Sequence, residues 1–258
     1  MPRLGLGTYR AHGREARKAV VWALEAGYRL VDTALAYGNE REVAAGLHES
    51  GLPREQVFIT SKLENDDHGY ASTLAACARS LDNLGTDYLD LYLIHWPVPG
   101  LRGETWRAME RLYAEGRCRA VGVSNYTIRH LQELLGAASL VPAVNQVEFH
   151  PFLYQRELLA WCRERGIVLE AYSPLVKATR FHDPVLRDIA RRHGRTPAQV
   201  LLRWHLQRGV VAIPKSVHHA WIRENAGAWD FALAAEDMAR LDALDEGRHV
   251  DWDPSDLP

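Results

Sequence analysis

Lysine is scarce in this chain of 258 residues: four (Lys18, Lys62, Lys177 and Lys215) stand among 31 basic residues, and arginine does the routine surface work. Each lysine therefore draws scrutiny. Cysteine is sparse as well. Cys77, Cys118 and Cys162 are scattered and odd in number, which excludes a metal-binding spacing or a disulfide framework and fits a reducing cytoplasm. No apolar run approaches the ~18 residues of a membrane span, and Met1-Pro2-Arg3-Leu4-Gly5 offers no basic-then-apolar signal segment. A net charge of -2 supplies no field for nucleic acid or an anionic membrane. Linkers, charge blocks and low-complexity stretches are also missing, so residues 1–258 read as one domain. With 47% hydrophobic residues the chain can bury a sizeable core.

Strand-like apolar runs alternate with helix-like segments from end to end. The strand candidates are residues 4–7, 28–32, 57–60, 88–94, 119–123, 144–147, 168–172 and 210–213. In the first helical stretch Val20, Leu24 and Gly27 share a face, and Gly27 is placed to end it. Thr196-Pro197-Ala198-Gln199 is a capping box with proline at the first helical position, and Gly209 would close that helix. Eight strand-then-helix units in about 250 residues predict a (β/α)8 barrel. Two helical stretches, 183–193 and 235–244, exceed the basic repeat.

In such barrels chemistry sits at the C-terminal ends of the strands. Those ends read Asp32, Ser61-Lys62, His95, Ser124-Asn125, Gln146, Tyr172-Ser173 and Lys215-Ser216, nearly all able to donate, accept or carry charge. With Tyr37 just beyond the second strand, an acid, a phenol, an amine and an imidazole would converge on one mouth. That set suits proton transfer to a carbonyl oxygen. An ordinary buried Asp32–Lys62 ion pair and a core His95 under Trp96 are the bland alternatives.

Long motifs in order resemble the aldo-keto reductase family from Leu4 to about Gly247. They include Gly5-Leu6-Gly7-Thr8-Tyr9, Gly27-Tyr28-Arg29-Leu30-Val31-Asp32-Thr33-Ala34 with Tyr37-Gly38-Asn39-Glu40, Ser61-Lys62-Leu63 and Leu91-Tyr92-Leu93-Ile94-His95-Trp96-Pro97. Further on come Gly122-Val123-Ser124-Asn125-Tyr126, Asn145-Gln146-Val147-Glu148-Phe149-His150-Pro151, Tyr172-Ser173-Pro174-Leu175, Ile213-Pro214-Lys215-Ser216 and Glu224-Asn225. Asn65-Asp66-Asp67-His68-Gly69-Tyr70 is similar to the bacterial 2,5-diketo-D-gluconate reductase branch. The resemblance implies metal-independent, NADPH-dependent reduction of small aldehydes or ketones, with NADH as a second cofactor and keto sugars as one candidate substrate class. It implies a monomer.

Carried over residue by residue, Tyr37 becomes the general acid, Lys62 the charge that lowers its pKa, Asp32 the group that holds the amine, and His95 the group that orients the substrate oxygen. Ser124, Asn125 and Gln146 become partners of the nicotinamide carboxamide. Tyr172 becomes the ring stacked on the nicotinamide. Ser173 and Leu175 fall in the same cofactor motif, Lys215 and Ser216 match the 2′-phosphate end, and Glu224 and Asn225 the adenine. A dinucleotide fingerprint is absent, because Gly5-Leu6-Gly7 continues without the third glycine. That argues against a Rossmann domain only.

Several positions depart from the family pattern. Trp221 stands six residues after Lys215, where an arginine is common, so the preference for NADPH over NADH should narrow; a Trp221 stacked on adenine would serve both cofactors. Glu64 replaces a pocket-wall tryptophan and predicts a wider, more polar pocket unless it turns outward. Tyr9 and Trp96 complete the substrate-side candidates. The stretches 97–106 and 176–182 and the tail after Gly247 look short. Lys177 either adds charge near the pyrophosphate or is solvated. The N-terminal hairpin that plugs the barrel floor in relatives is missing, so that floor should be more open. The rival from another class is a cofactor-binding regulatory or scaffold barrel with little turnover. A carboxylate hydrolase would leave Lys62, Gln146 and Lys215-Ser216 unexplained.

Overall fold

In a computed structural model, which describes residues 1–257, eight strands form one parallel sheet in sequence order. They are β1 (Leu6–Gly7), β2 (Leu30–Asp32), β3 (Phe58–Leu63), β4 (Leu91–Ile94), β5 (Val121–Ser124), β6 (Val144–Glu148), β7 (Val168–Tyr172) and β8 (Val211–Ala212). The last strand returns to the first. Leu4 bridges Ala212 and Gly7 bridges Lys215 in parallel, and Gly5 N donates to Ala212 O at 2.9 Å. The sheet is thus a closed barrel with no free edge.

Ten helices lie outside it among the described residues. They are α1 (Gly13–Glu25), α2 (Glu40–Glu49), α3 (Tyr70–Leu84), α4 (Arg102–Ala114), α5 (Ile128–Leu135), α6 (Arg156–Glu164), α7 (Pro184–His193), α8 (Pro197–Gln207), α9 (His219–Ala226) and α10 (Ala235–Asp242). The two predicted additions are α7 and α10. Thr196 caps α8 with the reciprocal Gln199 contact expected of its capping box. Helix α4 begins at Arg102, inside the stretch read as loop, so the connection after β4 is shorter still. Lys62 lies within β3, one residue before its end, where the sequence reading placed it just past a strand.

Strand side chains alternate faces. The outward set packs under the helices as the main core, which includes Val31, Ile59, Tyr92, Ile94, Val123 and Val147. The inward set changes character along the barrel axis. Near the floor it is apolar: Leu30, Val211 and Ile213 form one cluster and Leu91, Leu93 and Val144 another, with Phe58 against both. Glycine makes room there. A Cβ on Gly5 would lie 2.0 Å from Leu30 Cδ2, and one on Gly122 would lie 2.5 Å from Val144 O. Further along the strands the inward positions become Asp32 (two beyond Leu30), Gln146 (two beyond Val144) and Lys62 (four beyond Phe58), with Glu170 beside them, all buried. The period of two therefore seats a polar layer on an apolar floor. Below the floor a cleft of about 410 Å³ opens between Pro2, Arg29, Phe58, Asp90 and Arg119.

Candidate active site

The polar layer ends at the mouth in a connected set. Lys62 Nζ donates to Asp32 Oδ1 at 2.6 Å, to Thr33 O at 2.9 Å and to Tyr37 Oη at 3.3 Å. Tyr37 is presented by a one-turn 3-10 segment, Leu35–Tyr37, closed by Gly38 at φ 63. Asn39 ties that turn down: its Nδ2 donates to Thr8 O and Ala11 O, both at 2.9 Å, and its Oδ1 accepts from Thr33 Oγ1 at 2.7 Å. Glu40 next to it is buried and accepts from Ser61 Oγ at 2.6 Å. The His95 ring meets the Tyr37 ring at 5.7 Å, near edge-on. The four predicted catalytic side chains thus share one mouth.

Burial pushes the Lys62 ammonium down, but the Asp32 charge beside it and the Tyr37 and Asp32 contacts hold it above the ordinary lysine range. It is a cation at neutral pH. Burial raises the Tyr37 phenol, Lys62 lowers it and Asp32 raises it again, and the balance lies above the ordinary tyrosine value. Lys62 does act in the direction expected from the sequence. The net shift is nonetheless upward, because desolvation of a phenolate outweighs one neighbouring cation whose effect Asp32 opposes. Tyr37 is therefore a firmly protonated donor. His95 is driven down to about 3 by burial and by Lys62, so its imidazole is neutral at physiological pH.

Burial without a partner acts on His68 too. It is 7% exposed, neither ring nitrogen has a hydrogen bond among the described residues, and burial lowers its pKa to about 4 against the opposing charge of Asp67. The folded state refuses a proton that the unfolded chain takes up below about pH 6.5. Stability therefore falls as pH drops from about 6.5 to 4, and the histidine loses nothing further below that. Denaturant titrations of wild type and His68→Leu are expected to diverge across this window, the variant gaining about 2–3 kcal/mol relative to wild type between pH 7 and pH 4.5. A constant difference would sink the prediction.

The remaining candidates are distributed around the rim. Ser124 Oγ donates to Gln146 O at 2.8 Å. Asn125, at φ 63, donates to His95 O at 3.0 Å and accepts from Tyr172 Oη at 2.9 Å. Leu175 is partly buried. Ser173 Oγ donates to Asp251 at 2.7 Å. Lys215 is exposed and Ser216 buried. Trp221 is 55% exposed, its ring 4.1 Å from that of His218. Glu224 accepts from Thr196 Oγ1 at 2.7 Å, and Asn225 is buried beside it on α9. On the substrate side the Tyr9 ring stands 5.1 Å from Tyr37, and Glu64 is half-buried.

The tail holds what the sequence did not signal. Glu148, at the end of β6, accepts from the backbone N–H groups of Val250 (2.7 Å) and Asp251 (3.0 Å). This brings Trp252 to 4.7 Å from Trp96, and Asp251 onto Lys177 at 2.6 Å as well as Ser173. Lys177 is thus neither free nor merely solvated. It sits in a run, Val176–Ala178, whose φ values of 50–61 are left-handed without glycine, a conformation that costs energy and needs such tethers. A buried acid whose two backbone partners lie 102 and 103 residues away leaves no local pattern. Among the described residues no group of His, Cys, Asp or Glu could hold a metal ion, and no helix is long and apolar enough to cross a membrane.

The family model described as "Aldo/keto reductase family" matches residues 3–246. A Bacillus subtilis protein named glyoxal reductase is 51% identical over 258 residues, covering 100% of this chain and 94% of its own length. An aldo-keto reductase from a Medee basin deep-sea metagenome library superposes with a TM-score of 0.97 at 42% identity, covering 100% of this chain and 96% of that one. A Bombyx mori aldo-keto reductase solved in complex with NADP has a TM-score of 0.91 at 35% identity, covering 96% and 91%.

Proposed function

This chain belongs to the aldo/keto reductase family, and from that premise we propose that it reduces small aldehydes and ketones to alcohols with NADPH, Tyr37 serving as the general acid. The observation that carries the reading is the Asp32–Lys62–Tyr37 chain of hydrogen bonds beside a neutral His95 at the barrel mouth. When bound, a nicotinamide cofactor supplies the hydride that reaches the carbonyl carbon. Tyr37 gives its proton to the carbonyl oxygen, which becomes the alcohol oxygen. Lys62 holds the phenol by its hydroxyl oxygen and stabilises the charge left there. Asp32 keeps the ammonium in place. His95, uncharged, donates a hydrogen bond that orients the oxygen without competing as an acid. Tyr9, Trp96 and Trp252 enclose the mouth with aromatic surface, which suits small, partly apolar carbonyl compounds.

The residues present fit the cofactor. Among the described residues Gln146 Oε1 has no hydrogen-bond partner, whereas its Nε2 donates to both Asp32 and Glu170, so one acceptor is left for a carboxamide. Tyr172 offers a ring at the same mouth, and Lys215 with Ser216 a cation and a hydroxyl for a phosphate. A glyoxal-reducing relative and an NADP-bound one support the substrate and cofactor classes. The test is tryptophan-fluorescence titration with NADPH, followed by single-turnover oxidation of bound NADPH by glyoxal. Binding with no turnover would replace the reductase by a cofactor-sensing barrel.

The exposed Trp221 gives a selectivity prediction. Trp221→Arg adds a charge-assisted contact to the 2′-phosphate, worth roughly 1.5–3 kcal/mol. The NADPH dissociation constant should fall about ten- to a hundredfold with that for NADH unchanged. Equal tightening of both would mean that position 221 does not face the phosphate.

A further inference from the structure

Glu170 has no part in the reaction as derived, yet it lies fully buried inside the barrel. Its Oε2 accepts from Gln146 Nε2 at 2.8 Å, and the same Nε2 donates to Asp32 Oδ2 at 2.8 Å. Both hydrogens of one side-chain amide are therefore taken by two carboxyl groups. We propose that Glu170 is a positioning residue: with Asp32 it pins the Gln146 amide so that Oε1, and never Nε2, is the atom offered at the barrel mouth. A glutamine held by Asp32 alone keeps one unused N–H, and turning its amide end for end forfeits only the one hydrogen bond to Asp32. Two acceptors on the floor side make the turned state costly, because it would set Oε1 against both carboxyl groups. That Oε1 then meets a carboxamide rests on the function proposed above; the pinning does not.

The charge on the second acceptor follows from its surroundings. Burial and the Asp32 charge raise the Glu170 carboxyl to about 8, the Gln146 hydrogen bond and Lys62 opposing. At neutral pH it carries a proton, and its Oε1, which has no hydrogen-bond partner among the described residues, is the oxygen free to bear it. The charged groups that act on it are Asp32 on β2 and Lys62 on β3, with Tyr172 two residues further along β7 and Val211 of β8 set opposite. His95 titrates far lower, at about 3. Lys62 and Tyr172 are held above their ordinary values.

The decisive measurement is the side-chain amide resonance pair of Gln146 in the cofactor-free protein, assigned by its loss in Gln146→Leu, followed from pH 6.5 to 9.5. Wild type should show two slowly exchanging protons that shift with a midpoint near 8. In Glu170→Gln both protons stay protected and the titration disappears. In Glu170→Leu one proton loses protection and the NADPH dissociation constant rises about tenfold, whereas Glu170→Gln stays within about threefold of wild type. A wild-type pair that does not titrate, or equal protection in Glu170→Leu, overturns the assignment. Because the resonances are read without cofactor or substrate, a protein that failed to reduce carbonyls would leave this result standing.

Discussion

Replacing Tyr37 by phenylalanine is expected to lower kcat for aldehyde reduction by about 10²–10⁴-fold, the range ascribed to one positioned general acid, while the NADPH dissociation constant moves by less than about threefold. The variant removes one oxygen. Lys62 keeps Asp32 and Thr33 O as partners, so the cation is not orphaned and the fold should lose little. The Tyr9 and His95 rings still have an aromatic neighbour at 5.1 and 5.7 Å. The loss therefore falls on the proton step and not on binding. Steady-state kinetics with glyoxal beside fluorescence titration separates the two. An equal loss in affinity would make Tyr37 a wall of the pocket, and an unchanged kcat would hand the proton to another group. Because burial holds the phenol above its ordinary value, the Tyr37-dependent rate should persist from neutral into mildly alkaline pH.

Much of this was legible before the fold was known, for a physical reason. A barrel places strand ends at one mouth, so residues 30 or more positions apart, such as Asp32 and Lys62, meet without any local signature beyond a polar residue closing an apolar run. Local helix signals were equally readable: Thr196 with Gln199 caps α8 as its capping box requires, and Asp183, where the first added helix is expected to begin, caps α7 through Val185 N and Leu186 N. Partnerships made across the barrel were not legible. Glu170 reads as one more acid near a strand end until β6 and β7 pair and set it opposite Gln146. Glu148 likewise gains its meaning only when the tail arrives, and Trp252 only when that tail reaches Trp96. The direction of the Tyr37 shift was missed because it is a balance of burial against two opposite charges, and burial is a property of the closed mouth.

Lys62→Met should cost more than any surface change and should do so in two separable ways. It leaves Asp32, 2% exposed, without its cation and with Gln146 as its remaining side-chain donor. Breaking a buried pair from one side costs about 3–5 kcal/mol, readable as a lower denaturant midpoint at pH 7. The kinetic loss should reach about 100-fold or more, since Tyr37 loses both its hydrogen-bond donor and the charge that stabilises its deprotonated form. The sign of the pH dependence distinguishes an orphaned charge from lost packing. An unpaired buried Asp32 has a folded-state pKa raised above the unfolded value of about 3.9. The destabilisation is therefore small near pH 4, grows as pH rises through the raised pKa and is full at neutrality; a packing defect would cost the same at both. The double variant Asp32→Asn with Lys62→Met removes the charge and should recover most of the stability at pH 7. Activity should not return with it, because the ammonium beside Tyr37 is still gone. Recovery of both would mean that the pair serves only the fold and that Tyr37 needs no cation to act as an acid.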